Sequence, residues 1–364
     1  MARRALLVGF LGSAYGFGTH PAVPVQQRSA RARCLPQLNV QNLRPVSPSL
    51  PGIYRSAAFE QATDADAALI LDGMRIRTVI DLRSQDEIDK ALAAATPVGR
   101  ALFAAYADGA PVGPGQLASE GTGRLRRVHV PLLADVDAFW EFVATKLSPA
   151  KRAEAMLYRS VDGKRYDRLL YDELPRRARS SSNPHPYPNP DPKPKPTLNP
   201  NPNPSPNPSP SPSPNQGHSL LYTGMLRSAA PAAWGQALAC AADRSGGGVL
   251  VHCAKGKDRT GVLCALLQHA AGDDEQQIVA DYAASAAQLS EEAAVQPKVQ
   301  MPWQKREEEE DSPTVDWSAL RGSPAKAMQD TLAWVRQEYG AVDSFLEGAG
   351  ADEAWRWTLN GNSR

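Results

Sequence analysis

An α/β domain with a largely parallel central sheet flanked by helices is the fold this sequence predicts. Three observations carry it. Short apolar runs near 77–82, 127–132 and 248–252 alternate with helical stretches near 61–74, 135–160 and 231–243. The run Gly248-Val249-Leu250-Val251 leads directly into a tight polar loop. Val262-Leu263-Cys264-Ala265-Leu266-Leu267 then opens an apolar helix ending near Gly272. The order strand, loop, helix N-terminus places a loop beyond a strand's carboxyl end, where such sheets bind ligands.

Taken in order, the chain begins with Arg3 and Arg4 before an apolar stretch, 5–11. Its first acidic residue is Glu60, and Arg28, Arg31 and Arg33 fall among Ser and Ala. Residues 1–38 are read as a targeting segment or disordered N-terminus. The basic apolar start is signal-peptide-like, and the acid-free Arg/Ser tract is transit-peptide-like. Together they suit a plastid or another organelle, with the cytoplasm as the alternative; a tail without an address is the competing reading. Residues 39–179 form the first part of the domain and 218–359 the second. Between them, 180–217 is a Pro/Asn/Ser insertion holding 15 of the 32 prolines. Proline at every second position admits neither helix nor central strand, so extended, solvated chain is expected. The polar stretch 290–313 reads as a solvated loop. Helical periodicity returns over 324–339 through Ala327, Met328, Leu332, Val335 and Tyr339.

Composition narrows the function. A net charge of +1 gives no electrostatic case for nucleic acid. No apolar run reaches the ~18 residues of a membrane span. The four cysteines, Cys34, Cys240, Cys253 and Cys264, have no metal-ligand spacing. Cys240 and Cys264 read as buried small residues, with a protective disulfide to Cys253 as the sharper alternative.

The chemistry lies in His252-Cys253-Ala254-Lys255-Gly256-Lys257-Asp258-Arg259-Thr260-Gly261. Successive N–H groups at a helix N-terminus cradle an oxyanion. A cysteine at its base is expected to be a thiolate, and so a nucleophile toward a bound phosphate. Arg259 offers a planar fork matching two phosphate oxygens. Gly256 permits a backbone turn closed to other residues.

This stretch resembles the active-site loop of the cysteine-dependent phosphatases, His-Cys-x5-Arg-Ser/Thr. It is similar in particular to the atypical tyrosine and phosphoinositide phosphatases of bacteria, with relatives in plants and algae. Gly52-Ile53-Tyr54-Arg55-Ser56-Ala57, Arg77-Thr78-Val79-Ile80-Asp81-Leu82-Arg83-Ser84, Val128-His129-Val130-Pro131-Leu132 and Ala280-Asp281-Tyr282-Ala283-Ala284-Ser285 resemble further segments of that family. Two departures stand out. Lys255 occupies a loop position that is usually small. Asn42-Leu43-Arg44-Pro45-Val46 lacks the family's Asp and Gly pair, which is expected to change only a surface turn.

The resemblance implies a cysteine-phosphatase-like fold and a phosphomonoesterase working through a thiophosphate intermediate, without cofactor or metal. Cys253 is the nucleophile and Arg259 the phosphate clamp. Asp258 is the general acid, with loop-holding as the alternative. Asp243 is the only acidic residue between 218 and 252, and it lies at the wrong end of the strand. A loop carboxylate near bound phosphate dianion should titrate high. Ala254, Lys255, Gly256, Lys257 and Thr260 are expected to bind substrate, Thr260 also donating to the cysteine sulfur or capping the helix. His252, Asp81 and Arg83 are expected to support the loop, the last two as an ion pair. The expected substrates are phosphotyrosine proteins, extending to phosphoserine and phosphothreonine. The two lysines also suit a second phosphate, which leaves a phosphoinositide phosphatase as the alternative. A catalytically silent pseudophosphatase and a sulfur-transfer or arsenate-reducing enzyme are the other classes, disfavoured by Cys253, Asp258 and Arg259 occurring together.

Overall fold

The structure is a computed structural model that describes residues 38–108, 125–133, 135–161, 163–173, 216–244, 246–289 and 320–360. The targeting segment up to residue 37, the insertion between 174 and 215, and the polar stretch 290–313 lie outside the described residues.

Six strands make one sheet: β1 (Arg44–Pro45), β2 (Ile53–Ser56), β3 (Ile76–Asp81), β4 (Tyr106–Asp108), β5 (Leu125–His129) and β6 (Gly248–His252). Their spatial order is β1-β2-β6-β3-β5-β4, parallel throughout except for the short antiparallel β1 at the edge. The last strand in sequence is thus inserted between the second and third. Ser56 and Asp81 lie beside His252 in register. The chain leaving β2, β3 and β6 therefore converges at one end of the sheet.

Alternation along the central strand fills two cores. Val249 and Val251 join a large cluster with Ile53, Ile80, Leu82 and Val128. Leu250 faces a smaller cluster with Val79, Ile76, Phe59 and Tyr106. A parallel sheet covered on both faces reads as near-continuous apolar sequence, as β6 does. Over the large core pack α4 (Val136–Thr145), α7 (Gln216–Ser228), α8 (Pro231–Ala242), α9 (Asp258–Ala270), α10 (Glu275–Gln288) and α11 (Ala325–Tyr339).

The helices predicted near 231–243 and 324–339 are α8 and α11. Two other expected helical stretches are each built from two pieces. The helix expected over 61–74 is a short α1 (Asp64–Ala68) continued by a π-helical turn, Leu69–Gly73. It starts late because Thr63 and Asp66 close a capping box. The helical stretch expected near 135–160 consists of two helices, α4 and α5 (Pro149–Val161). Pro149 lacks an N–H and suits a first turn, not a helix interior. Not foreseen were α2 (Gln85–Ala93), α3 (Pro97–Ala105), α6 (Gly163–Tyr171), α7, whose first two residues were assigned to the insertion, α10, α12 (Val342–Gly348) and α13 (Glu353–Leu359). Among the described residues no helix is long and apolar enough to cross a membrane.

Candidate active site

The loop 253–257 leaves the carboxyl end of β6 and runs into α9, which begins at Asp258. Cys253, at its base, is 2% exposed. Three successive loop carbonyls are pulled toward the chain near β2. Ala254 O accepts from Ala58 N at 3.0 Å. Lys255 O and Gly256 O accept from Asn42 Nδ2 at 3.2 and 2.8 Å, and Gly256 O also accepts from Arg55 Nη2 at 2.8 Å. In a trans peptide each carbonyl points opposite the following N–H. The N–H groups of Lys255, Gly256 and Lys257 therefore face the other way, and among the described residues they donate to nothing. With the unpaired N–H groups of the first turn of α9, they form an anion cradle. Gly256 has φ +61°, and a Cβ there would run into the Ser56 carbonyl. Only glycine lets the loop lie this close to β2.

Asn42 corrects an expectation. The departure from the family pattern there is not confined to a surface turn. Asn42 is buried, adopts the left-handed region at φ 57° and braces the loop. Asparagine tolerates that conformation better than most residues. Arg55, also buried, pairs with Asp281, which in turn holds Arg44. Ser285 Oγ accepts from both arginines. The family-like segments around Arg55 and Asp281 thus meet behind the loop, a job that sequence reasoning had not given them.

Arg259 is buried and faces Glu87, with Nη1 2.6 Å from Oε2 and Nη2 2.7 Å from Oε1. Burial disfavours the charged guanidinium, but Glu87 more than offsets this and the group titrates above its ordinary value. Burial likewise works against the Glu87 carboxylate, and Arg259 holds it below the usual range. A guanidinium has five N–H donors. The end-on fork is taken by Glu87, which leaves Nε–H and the second Nη2–H as a side-on fork for an oxyanion. Sequence reasoning missed Glu87, although Ser84-Gln85-Asp86-Glu87 carries a signal. Ser84 and Glu87 form the capping box of α2, with Ser84 N donating to Glu87 Oε2 at 2.9 Å.

Asp258 is enclosed. Tyr222 on α7 donates its hydroxyl to Oδ1 at 2.6 Å, and Tyr282 on α10 lies 2.6 Å from the Tyr222 oxygen. Burial pushes the Asp258 carboxyl up, but the Lys257 ammonium, the Tyr222 hydroxyl, His218 and Arg259 together hold it below its ordinary value. The raised value expected from the sequence must therefore come from the charge of the phosphate itself. The Lys257 N–H lines the cradle, but its side chain is engaged elsewhere. Its Nζ donates to Leu320 O at 2.8 Å and Gly322 O at 2.7 Å, and lies 3.5 Å from Asp258 Oδ1. Two of its three donors are thus held by backbone carbonyls.

Lys255 is half-buried at the loop. Burial, then Lys257, lowers its ammonium, and Arg321 adds to this. Thr260 is buried, and its hydroxyl makes no hydrogen bond among the described residues, to the cysteine sulfur or otherwise. Nor does it cap the helix, because the cap position is Lys257.

Behind the loop Arg83 grips Asp81 through Nε and Nη2, at 2.9 and 2.8 Å, and reaches Glu60 at 2.6 Å. Burial opposes the Asp81 carboxylate, but His252 and Arg83 hold it far below the usual range. His252 Nδ1 lies 3.3 Å from Cys253 O, and its Nε2 is 3.6 Å from Asp81. Asp243 is 3.4 Å from Arg126, far from the loop end of β6. Cys240 and Cys264 are free and buried, and burial pushes the Cys264 thiol up to about 12.

A parallel sheet whose inserted central strand ends in an N–H cradle, with a cysteine beneath and a glutamate-braced arginine beside it, is the architecture of a phosphatase fold. The chain belongs to the tyrosine phosphatase family, whose model matches residues 49–362. A tyrosine-protein phosphatase from Nostoc commune is 31% identical over 120 residues. That match spans 29% of this chain and 36% of the relative's length.

Proposed function

We propose that the protein is a cysteine-dependent phosphomonoesterase acting on phosphotyrosine, with phosphoserine and phosphothreonine as further substrates. The observation that carries this reading is the cradle: three inward N–H groups over Cys253, beside the free fork of Arg259. The phosphate sits on the N–H groups, and Arg259 meets its equatorial oxygens as charge builds. Cys253 sulfur attacks phosphorus in line; the S–P bond forms as the bond to the leaving oxygen breaks. Asp258 gives its proton to that oxygen, and in the second step it takes one from the attacking water. No metal or cofactor enters the scheme. Hydrolysis of p-nitrophenyl phosphate in excess chelator tests it. No turnover by the folded protein would leave a phosphate-binding pseudophosphatase instead.

Asp258→Asn tests the acid. It should cut kcat by ~10²–10⁴-fold for poor leaving groups and mildly for good ones. Equal losses across a series of aryl phosphates would make Asp258 a loop-holding residue only.

A second reading, action on phosphoinositides, is favoured by Lys255. Its ammonium makes no ion pair among the described residues, and burial, Lys257 and Arg321 outweigh Asp258 and Cys253 in lowering it. A second phosphate on the substrate would offset this. Lys255→Ala should lower activity on multiply phosphorylated inositol lipids a few-fold more than on a phosphotyrosine peptide, because one partly exposed pair is worth ~1 kcal/mol or less. The difference should shrink as salt is raised. Proportional losses on both substrates would remove Lys255 from headgroup recognition.

A further inference from the structure

We propose that Tyr222 is a positioning residue for the general acid, orienting Asp258 so that Oδ2 rather than Oδ1 carries the proton to the leaving oxygen. The proposal rests on Asp258 being that acid. Tyr222 is buried on α7, an element that carries none of the loop. Its single hydroxyl proton goes to Asp258 Oδ1 at 2.6 Å. The hydroxyl oxygen must then accept from Tyr282, 2.6 Å away, giving a directed chain from Tyr282 to Tyr222 to Asp258.

Lys257 Nζ also lies on the Oδ1 side, at 3.5 Å. Both donors crowd one carboxyl oxygen, while Oδ2 makes no hydrogen bond among the described residues. A proton arriving on Asp258 avoids the oxygen that already accepts from Tyr222 and faces the Lys257 ammonium, and settles on Oδ2. Gly261, three residues on, helps admit this chain, since a Cβ there would crowd the Tyr282 ring at 3.0 Å.

The charged and titratable groups around Asp258 are few. Tyr222 and His218 face it from α7, and Tyr282 from α10. Lys257 and Arg259 flank it, and Lys255 acts from the loop. Burial, then Lys257, pushes His218 down to about 4, so it is neutral across the working range. Both tyrosines are held protonated, chiefly by burial. The Tyr222 hydroxyl is therefore a fixed neutral donor that favours the carboxylate over the acid.

Tyr222→Phe keeps the ring and removes the donor. The basic limb of kcat against pH, which reports the acid with substrate bound, should move to higher pH, because the carboxyl loses a group that stabilised its charged form. At the new optimum, poor aryl leaving groups should lose about tenfold, while p-nitrophenyl phosphate loses less than about twofold. Added to Asp258→Asn, the substitution should have no further effect of either kind. An unmoved limb with equal losses across the series would overturn the proposal. If Asp258→Asn itself lacks leaving-group dependence, the acid assignment has failed rather than the role of Tyr222. Should Tyr222→Phe fail to fold, Tyr282→Phe decides the matter. It weakens the same chain one step back, so the limb should shift in the same direction by less, and no shift would count against the chain.

Discussion

Cys253→Ser should bring hydrolysis of p-nitrophenyl phosphate below detection, a loss on the order of 10⁴–10⁶-fold, the range seen when an activated nucleophile is removed. A serine hydroxyl is a far weaker nucleophile than a cysteine sulfur unless a base activates it. Among the described residues no side chain hydrogen-bonds to the Cys253 side chain. His252 is the neighbouring imidazole, but its Nδ1 lies on the Cys253 carbonyl and its Nε2 faces Asp81. Burial, with Arg83 adding, lowers its protonated form despite Asp81. The N–H groups and Arg259 are untouched by the substitution, so inorganic phosphate should still raise the melting temperature of the variant. Turnover persisting in the purified variant would sink the covalent mechanism. Loss of phosphate protection along with turnover would mean that the cradle had collapsed.

The part of the site legible from sequence is the part that is local. β6, the loop and α9 are contiguous, so one stretch of about twenty residues carries the strand, the glycine at the turn and the Cys-to-Arg spacing. What supports that stretch comes from far along the chain. Glu87 meets Arg259 across 172 positions, and Asn42 meets Gly256 across 214. Neither distance has a periodic signature. Glu87 could have been suspected from its capping box, because a box locates a helix start and the carboxylate has a second oxygen to spend. Asn42 could not, since nothing local says that a left-handed turn will be buried against another loop. Tyr222 lies in a helix beside Leu220, Leu221, Met225 and Leu226, and a tyrosine there reads as core. Lys257 misled for a related reason: a lysine in a phosphate loop suggests an anion, yet its ammonium reaches the carbonyls of a segment more than sixty residues on.

Arg259→Lys should lower kcat by ~10²–10³-fold, the cost of removing one donor aimed at developing charge. The reason is arithmetic on donors rather than charge. Arginine serves two anions at once, Glu87 through its end-on fork and the phosphate through the side-on fork of Nε and Nη2. Lysine has one ammonium on a flexible stem and no planar fork. Directed at Glu87, it abandons the phosphate; directed at the phosphate, it leaves a buried carboxylate without its partner. The unliganded protein should settle on the first arrangement, because Glu87 is buried whether or not substrate is present. Stability should therefore fall by less than the ~3–5 kcal/mol of breaking a buried pair outright. The test measures melting temperature with and without inorganic phosphate beside kcat. A modest drop in melting temperature, with phosphate protection lost and kcat down, is the expected pattern. If kcat stays within tenfold of the parent and phosphate still protects, Arg259 serves only to hold Glu87, and the cradle N–H groups bind the phosphate without it.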